Sequence, residues 1–241
     1  MHQNNIFVRG KGFVGDRLIK MGGEYLPRDF RGKYKTIIYT AGYGNYYDQK
    51  DTYETYKVNV LEAIRAMESC EQFVYISTSS VSLPVQTSYS HSKKTMEEII
   101  GNRGIVIRPS SITGIGEQDK HLIPTLIRSC LNNEKMPFVS EPTHDFIDIE
   151  DFCQGVLYIV ERFEKFEGNI INLSSGINYS NEKVKEIVEN ITKKKANTFE
   201  VANMRKYDTK EWVVKPNINF AKKTLFQSIK EMYEAENNRN K

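Results

Sequence analysis

The chain has 241 residues, enough for one large α/β domain or two small ones, and its 39% hydrophobic and 27% charged residues are ordinary for a globular protein. Its 34 Lys and Arg against 31 Asp and Glu leave a net charge of +3, too balanced for the clustered basic face of a nucleic-acid binder. Cys70, Cys130 and Cys153 are widely spaced and odd in number, which argues against a disulfide framework or a C-x-x-C zinc site and for a reducing compartment.

Ile6-Phe7-Val8 is a short apolar run directly before glycines and predicts a buried first strand. Arg9-Gly10-Lys11-Gly12-Phe13-Val14-Gly15 follows, then helical spacing through Asp16–Met21. Glu24-Tyr25-Leu26 is an abbreviated strand candidate, and Thr36–Ala41 a buried strand closed by Gly42 and Gly44. Val58–Met67 predicts a helix, Gln72–Ser77 a strand, Tyr89–Ile100 a helix ended by Gly101, and Gly104–Pro109 a strand stopped by its proline. Further on, His121–Leu131 predicts a helix, Asp145–Ile149 a strand, Asp151–Phe163 a helix and Asn169–Leu173 a strand. Asn181–Ile191 predicts a helix capped by Ser180, and the polar tail from Glu236 is expected to fray. Strands that alternate with helices and are themselves unbroken apolar runs predict a parallel sheet covered on both faces. No apolar run reaches the roughly 18 residues of a membrane span, and Met1–Asn5 lacks the charged and apolar regions of a signal peptide. The expectation is a cytoplasmic protein with no membrane, nucleic-acid or metal partner.

Gly10-x-Gly12-x-x-Gly15 sits between a strand and a helix. Dinucleotide sites need glycines there for a tight turn, for backbone approach to a pyrophosphate, and for close packing of helix on strand. The helix N-terminus then offers free N–H groups and partial positive charge to the phosphates. An acidic residue normally follows about 20 positions on, at the end of a second strand, to bind the adenosine ribose. The interval from Gly15 to Thr36 is too short for the usual second and third strands at full length. Glu24 or Asp29 is a candidate for the ribose; Lys11, Arg28 and Arg31 are candidates for a 2′-phosphate.

Tyr89 and Lys93 stand at i and i+4, one turn apart on one helix face. A phenol near its free pKa of about 10 is a poor proton carrier at neutral pH; an ammonium beside it is expected to favour the phenolate, with an oxidised nicotinamide adding further positive charge. The pair would exchange a proton with a hydroxyl or carbonyl, and the Ser77-Thr78-Ser79-Ser80 cluster at the end of the preceding strand would orient that oxygen. His91 at i+2 points away from this face, and His121 and the Lys193-Lys194-Lys195 run read as ordinary surface residues.

In chain order these segments resemble the extended short-chain dehydrogenase/reductases, the NAD-dependent epimerase/dehydratase family. Gly10–Gly15 is similar to the family's G-x-x-G-F-I-G loop, and Tyr39-Thr40-Ala41-Gly42 to its H-x-A-A or N-A-G strand end. Asn59-Val60 falls at its N-V pair, and Phe73–Val81 at F-V-Y-x-S-S-x-x-V-Y-G. Arg108–Gly114 is similar to R-P-x-N-V-Y-G, Thr143–Asp151 to x-R-D-F-V-x-V-x-D, and Asn172–Gly176 to N-V-G-S-G. The resemblance implies a Rossmann-type doubly wound parallel sheet with a small C-terminal lobe for a nucleotide-linked sugar, and a homodimer. Residues 1–114 would form mainly the dinucleotide-binding core and residues 115–241 mainly the substrate lobe with interleaved core elements, in one domain.

By that match Thr78, Tyr89 and Lys93 are catalytic. NAD or NADP is held by Gly10, Lys11, Gly12, Phe13, Val14, Gly15, Arg28, Thr40, Ala41, Gly42, Asn59 and Pro109 together with Tyr89 and Lys93. By the same match Ser79, Ser80, Ser111 and His144 would face the substrate. Ser79-Ser80 stands where the 4,6-dehydratases carry Asp-Glu, so dehydration lacks its acid and base. That leaves reduction of a 4-keto nucleotide sugar, toward which Lys11 and the short second strand lean, or C4 epimerisation with retained NAD. A non-catalytic NAD(P)-binding protein is the alternative from another class. Arg9 in place of the first family glycine, Ser111 in place of Asn and His144 in place of Arg are departures from the pattern.

Overall fold

The computed structural model describes residues 6–44, 52–141, 143–202, 215–218 and 220–239; the Met1–Asn5 segment lies outside them. The described residues fall into two compact units, one within Met1–Pro109 and Cys153–Leu173, the other within Ser110–Phe152 and Ser174–Lys241. In chain order the elements are β1 (Ile6–Arg9), α1 (Phe13–Lys20), β2 (Glu24–Tyr25), β3 (Tyr34–Tyr39), α2 (Thr52–Tyr56), a π-helical stretch (Lys57–Leu61), α3 (Glu62–Met67), β4 (Cys70–Ile76), a 3-10 turn (Ser79–Ser82), α4 (Ser88–Ile100) and β5 (Ile105–Pro109). They continue as β6 (Ser111–Thr113), α5 (Leu122–Asn132), β7 (Met136–Phe138), β8 (Thr143–Asp148), α6 (Ile149–Val160), α7 (Phe163–Phe166), β9 (Ile170–Leu173), β10 (Asn178–Ser180), α8 (Asn181–Thr192), β11 (Thr198–Glu200) and α9 (Leu225–Arg239).

The first unit is built on a six-stranded sheet in the order β2-β1-β3-β4-β5-β9, and every neighbouring pair is parallel. The apolar runs foreseen as buried strands supply its interior. Val8, Ile38, Val74 and Ile105 are paired across four strands and are all fully buried. The chain runs outward from β1 to β2 on one side and to β3, β4 and β5 on the other. The strand order therefore reverses between β1 and β3. In an open parallel sheet, ligands bind at the carboxyl ends of the strands at such a reversal. β2 is only two residues long and exposed, and among the described residues no strand lies beyond it. The second and third strands of a full-length sheet are thus reduced to one short edge strand, as the Gly15-to-Thr36 interval requires.

The second unit has a three-stranded sheet, β10-β8-β6, and a β11-β7 pair. Helices α5, α8 and α9 cover a core of Leu126, Ile127, Val184, Val188, Leu225 and Ile229. Ser180 caps α8 through the Lys183 N–H, as expected. Several boundaries differ from expectation. The strand expected over Thr36–Ala41 ends at Tyr39, because the N–H groups of Thr40 and Ala41 both turn to Arg9 O. The helix expected from Val58 begins at Thr52 and carries the π-helical stretch. The tail expected to fray from Glu236 continues as α9 to Arg239, held through Leu225, Ile229 and Met232 in the core. Among the described residues no helix is long and apolar enough to cross a membrane.

Ile107 is fully buried in β5, between Ile76 and Ile171 on the flanking strands. Ile107→Ala is expected to cost roughly 2–5 kcal/mol in chemical denaturation; a loss under about 0.5 kcal/mol, the range of surface changes, would contradict this placement of the core.

Candidate active site

The glycine turn after β1 divides its three glycines by role. Gly10 has φ +125°, and a Cβ there would come within 2.5 Å of Ala41 N, so only glycine lets β1 and the end of β3 approach. A Cβ on Gly15 would lie 2.0 Å from Gly10 O, so this glycine lets α1 close onto the turn. Gly12 is different: a Cβ there would meet nothing within 4 Å. Gly12 is the N-cap of α1 and supplies no side-chain cap, which leaves N–H groups at the helix start for an anion. Two glycines are thus needed by the fold, and the third keeps the outward face of the turn bare. Phe13 and Val14 open α1, and Thr40 Oγ1 is 3.3 Å from both Arg9 O and Gly10 O.

The Thr, Tyr and Lys residues converge because β4 and α4 are adjacent. Thr78 follows β4 and caps the 3-10 turn, accepting the Ser80 N–H at 3.2 Å; its hydroxyl favours the charged form of the Tyr89 phenol. Helix α4 is started by a capping box between Thr87 and Ser90, which places Tyr89 in its first turn. Lys93, one turn on, is 3% exposed. Its Nζ donates to Ile76 O at 2.9 Å and lies 4.5 Å from the Tyr75 ring centre and 6.0 Å from that of Tyr89. A Cβ on Gly42 would lie 3.8 Å from that Nζ and 3.9 Å from Asn59 Oδ1. Asn59, buried in the π-helical stretch, accepts the Tyr43 N–H at 2.9 Å and donates to Ser92 Oγ at 2.9 Å. It ties the β3 end to α4. A π-helical turn at such a point is a common mark of a functional site.

In the absence of a cofactor, burial opposes the phenolate that a neighbouring lysine favours. The Tyr89 phenol is pushed up to about 12, because burial penalises its charged form and the Thr78 hydroxyl offsets this only in part. Burial also brings Lys93 down to about 7, against the opposing pull of Glu97. The ammonium points to Ile76 O rather than to the phenol. Within the chain's own residues, then, desolvation outweighs the lysine, and Tyr89 is held as a neutral phenol.

Several groups at this site were not foreseen. Glu97 is buried beside Lys93 at i+4, and Arg108 Nε donates to both its oxygens, at 3.0 and 3.2 Å. Arg108 Nη2 and Ser77 Oγ add further hydrogen bonds to it. The signal was present in the i, i+4, i+8 series Tyr89, Lys93, Glu97. Glu62 accepts Arg9 Nη2 at 2.9 Å and Arg28 Nε at 2.7 Å, so Arg28, though 57% exposed, is already paired. Lys11 is exposed, with its Nζ 5.7 Å from the Tyr25 ring centre.

Ser80 is 1% exposed and its hydroxyl lies 3.0 Å from that of Thr78; Ser79 is also buried. Pro109 ends β5. Ser111 and His144 belong to the second unit, on the neighbouring strands β6 and β8, where Ser111 is in register with Phe146 and the His144 ring is 6.0 Å from the Phe146 ring. The Cys70 thiol is pushed up to about 12 by burial, which leaves it unactivated.

A reversed parallel sheet with a bare glycine turn at β1 and a Tyr-x-x-x-Lys helix behind β4 defines an enzyme of the extended short-chain dehydrogenase/reductase type. Residues 30–174, more than half of the chain, match the NAD dependent epimerase/dehydratase family, and the chain belongs to that family. No curated protein matches it by sequence. Solved structures share its fold. The UDP-glucose 4-epimerase of Thermotoga maritima, solved with UDP-glucose, has a TM-score of 0.83 at 15% identity over 98% of this chain and 100% of its own. MoeE5 in complex with UDP-glucuronic acid and NAD gives 0.82 at 16% identity over 98% and 99%. RMD from Pseudomonas aeruginosa, complexed with NADPH, gives 0.76 at 18% identity over 98% and 100%.

The division among the glycines is testable. Gly15→Ala is expected to lower the thermal midpoint or abolish folding. Gly12→Ala is expected to leave the midpoint unchanged while weakening NAD(P)H binding about tenfold or more, or roughly 1.4 kcal/mol, in a fluorescence titration. Equal binding by Gly12→Ala and the parent would contradict the role given to that bare face.

Proposed function

We propose that the protein reduces a 4-keto nucleotide-linked sugar with NAD(P)H. The observation that carries this is the convergence of Thr78, Tyr89 and Lys93 behind β4, with Lys93 close to Gly42 at the end of β3. Gly10, Gly12 and Gly15, with the start of α1, would hold the dinucleotide pyrophosphate; Thr40, Ala41, Gly42, Asn59 and Pro109 would line the path toward its nicotinamide. A bound reduced dinucleotide supplies the hydrogen and electron pair that the carbonyl carbon receives.

The chain's residues supply the proton. Tyr89, neutral at pH 7, donates it to the carbonyl oxygen, and the Thr78 hydroxyl orients that oxygen. Lys93 is available to hold the nicotinamide ribose and to stabilise the phenolate left behind. A phenol raised by burial suits the reductive direction, in which it must begin protonated. The absence of carboxylates at Ser79 and Ser80 supports a reaction without dehydration. The nucleotide-linked substrate is inferred from the family and from the UDP-sugars in related folds. Ser111 and His144 are proposed to meet that substrate, and a homodimer in the cytoplasm is the proposed working form.

A second reading, C4 epimerisation with retained NAD, is favoured by one observation. Glu62 already occupies Arg28 and Arg9 and so competes with a 2′-phosphate for them.

Cofactor analysis of the purified protein separates the two. The reductase reading expects little retained NAD and NADPH consumption with a 4-keto nucleotide sugar; stoichiometric NAD released on denaturation would replace it with the epimerase. In either case Tyr89→Phe is expected to lower kcat about 100-fold or more, and turnover within a few-fold of the parent would remove the proton-transfer role.

A further inference from the structure

We propose that Ser80 is a positioning residue that fixes Thr78 as a hydrogen-bond donor. Ser80 gives both its N–H and its O–H to the Thr78 oxygen, and the Thr78 proton is thereby turned toward the oxygen of the substrate. This deepens the function proposed above and rests on it for the substrate oxygen, while the direction of the hydroxyl pair stands apart from it.

A hydroxyl oxygen has two lone pairs and one proton to place around it. At Thr78 one lone pair is taken by the Ser80 N–H at 3.2 Å, the bond that caps the 3-10 turn. The Ser80 hydroxyl lies 3.0 Å from the same oxygen, and distance alone allows either hydroxyl to be the donor. Burial decides between them. Ser80 is 1% exposed, and among the described residues its hydroxyl has no hydrogen-bond partner besides Thr78. With Thr78 as donor, the Ser80 proton would be shut away from water with nothing to accept it, and an unmet buried donor typically costs more than one hydrogen bond gains. Thr78 is half-buried, so its own proton is not confined in this way. Ser80 is therefore the donor.

The turn makes this arrangement stiff. Val81 and Leu83 are buried, the Leu83 N–H bonds to Ser80 O at 3.2 Å, and Gln86 Nε2 donates to Val81 O at 3.4 Å. With both lone pairs of Thr78 occupied, its proton takes the third position around the oxygen, and a group arriving there must be an acceptor. A carbonyl oxygen is such a group. A donor fixed before the substrate arrives needs no reorientation as negative charge develops on that oxygen. The same donor favours the phenolate left when Tyr89 gives up its proton. Ser80 thus acts on the reaction through Thr78 and needs no contact with the substrate.

Neutron diffraction from crystals of the deuterated protein reads the hydroxyl orientations directly. The Ser80 deuteron is expected on the line to Thr78 Oγ1, with the Thr78 deuteron turned away from Ser80. A Thr78 deuteron on the line to Ser80 Oγ would overturn the proposal, whatever reaction the protein performs. Turnover tests the consequence, with NADPH and a UDP-linked 4-keto hexose as the probe. Ser80→Ala is expected to lower kcat about tenfold, the contribution of one hydrogen bond of ordinary net strength at a transition state, and to change KM by less than about twofold. In a Thr78→Ala background the same substitution is expected to change kcat by less than about twofold, because the residue through which it acts is gone. A loss of equal size in both backgrounds would mark a merely structural role for Ser80 and contradict the proposal. A parent protein that does not reduce the probe would count against the proposed reaction alone, and the neutron map would still decide the role of Ser80.

Discussion

A lysine ammonium removed from water beside the carboxyl end of β4 is the constraint around which the first unit is arranged. Such a group stays ionised only if the protein replaces its hydration with dipoles and an opposing charge. The chain does this in part, with Ile76 O at 2.9 Å, the Tyr75 ring and the opposing pull of Glu97, and burial still brings Lys93 down to about 7. Each substitute then needs support of its own. Glu97 requires Arg108 and Ser77. Tyr75 requires a buried partner for its hydroxyl, which is Asn59 O at 2.8 Å. Asn59 requires the π-helical stretch that turns it toward Ser92 and Tyr43. The site is therefore joined to β4, β5, α4 and the end of β3 by one polar network within an otherwise apolar sheet.

The same burial that brings Lys93 down raises Tyr89. A protein that stabilised the phenolate by itself would hold a base in the absence of its reaction partners. Here the phenol is an acid by default, and only an added positive charge nearby would make it a base. The Tyr-Lys spacing is thus a framework whose proton affinity depends on what binds next to it.

How much of this could be read in advance follows from where each signal lies. Ile6–Val8, Phe73–Ile76 and Ile105–Ile107 are unbroken apolar runs bounded by turn residues, and the parallel sheet was legible from them. Gly10, Gly12 and Gly15 were legible as a group because strand and helix flank them, but their separate roles depend on how close Ala41 and Gly10 O come. Thr52–Tyr56 was hidden: its aromatic and polar residues carry no helical stripe, and it is stabilised by packing on α4 and by hydrogen bonds such as that of Thr52 to Ser88. The α9 tail was misread because its polar composition outweighs the few residues, Leu225, Ile229 and Met232, that anchor it. The spacing of Tyr89 and Lys93 shows their proximity but not the desolvation that opposes the phenolate in the chain alone.

The central claim is that Tyr89 is a neutral, raised phenol in the free protein and becomes an accessible base only beside a positively charged nicotinamide. An ultraviolet difference titration of the tyrosinate band, comparing the parent with Tyr89→Phe in the absence and presence of oxidised cofactor, tests it directly. One tyrosine, lost in the variant, is expected to ionise near 12 alone and toward neutrality with the oxidised cofactor bound. A Tyr89 signal that ionises at the same pH with and without the cofactor would contradict it.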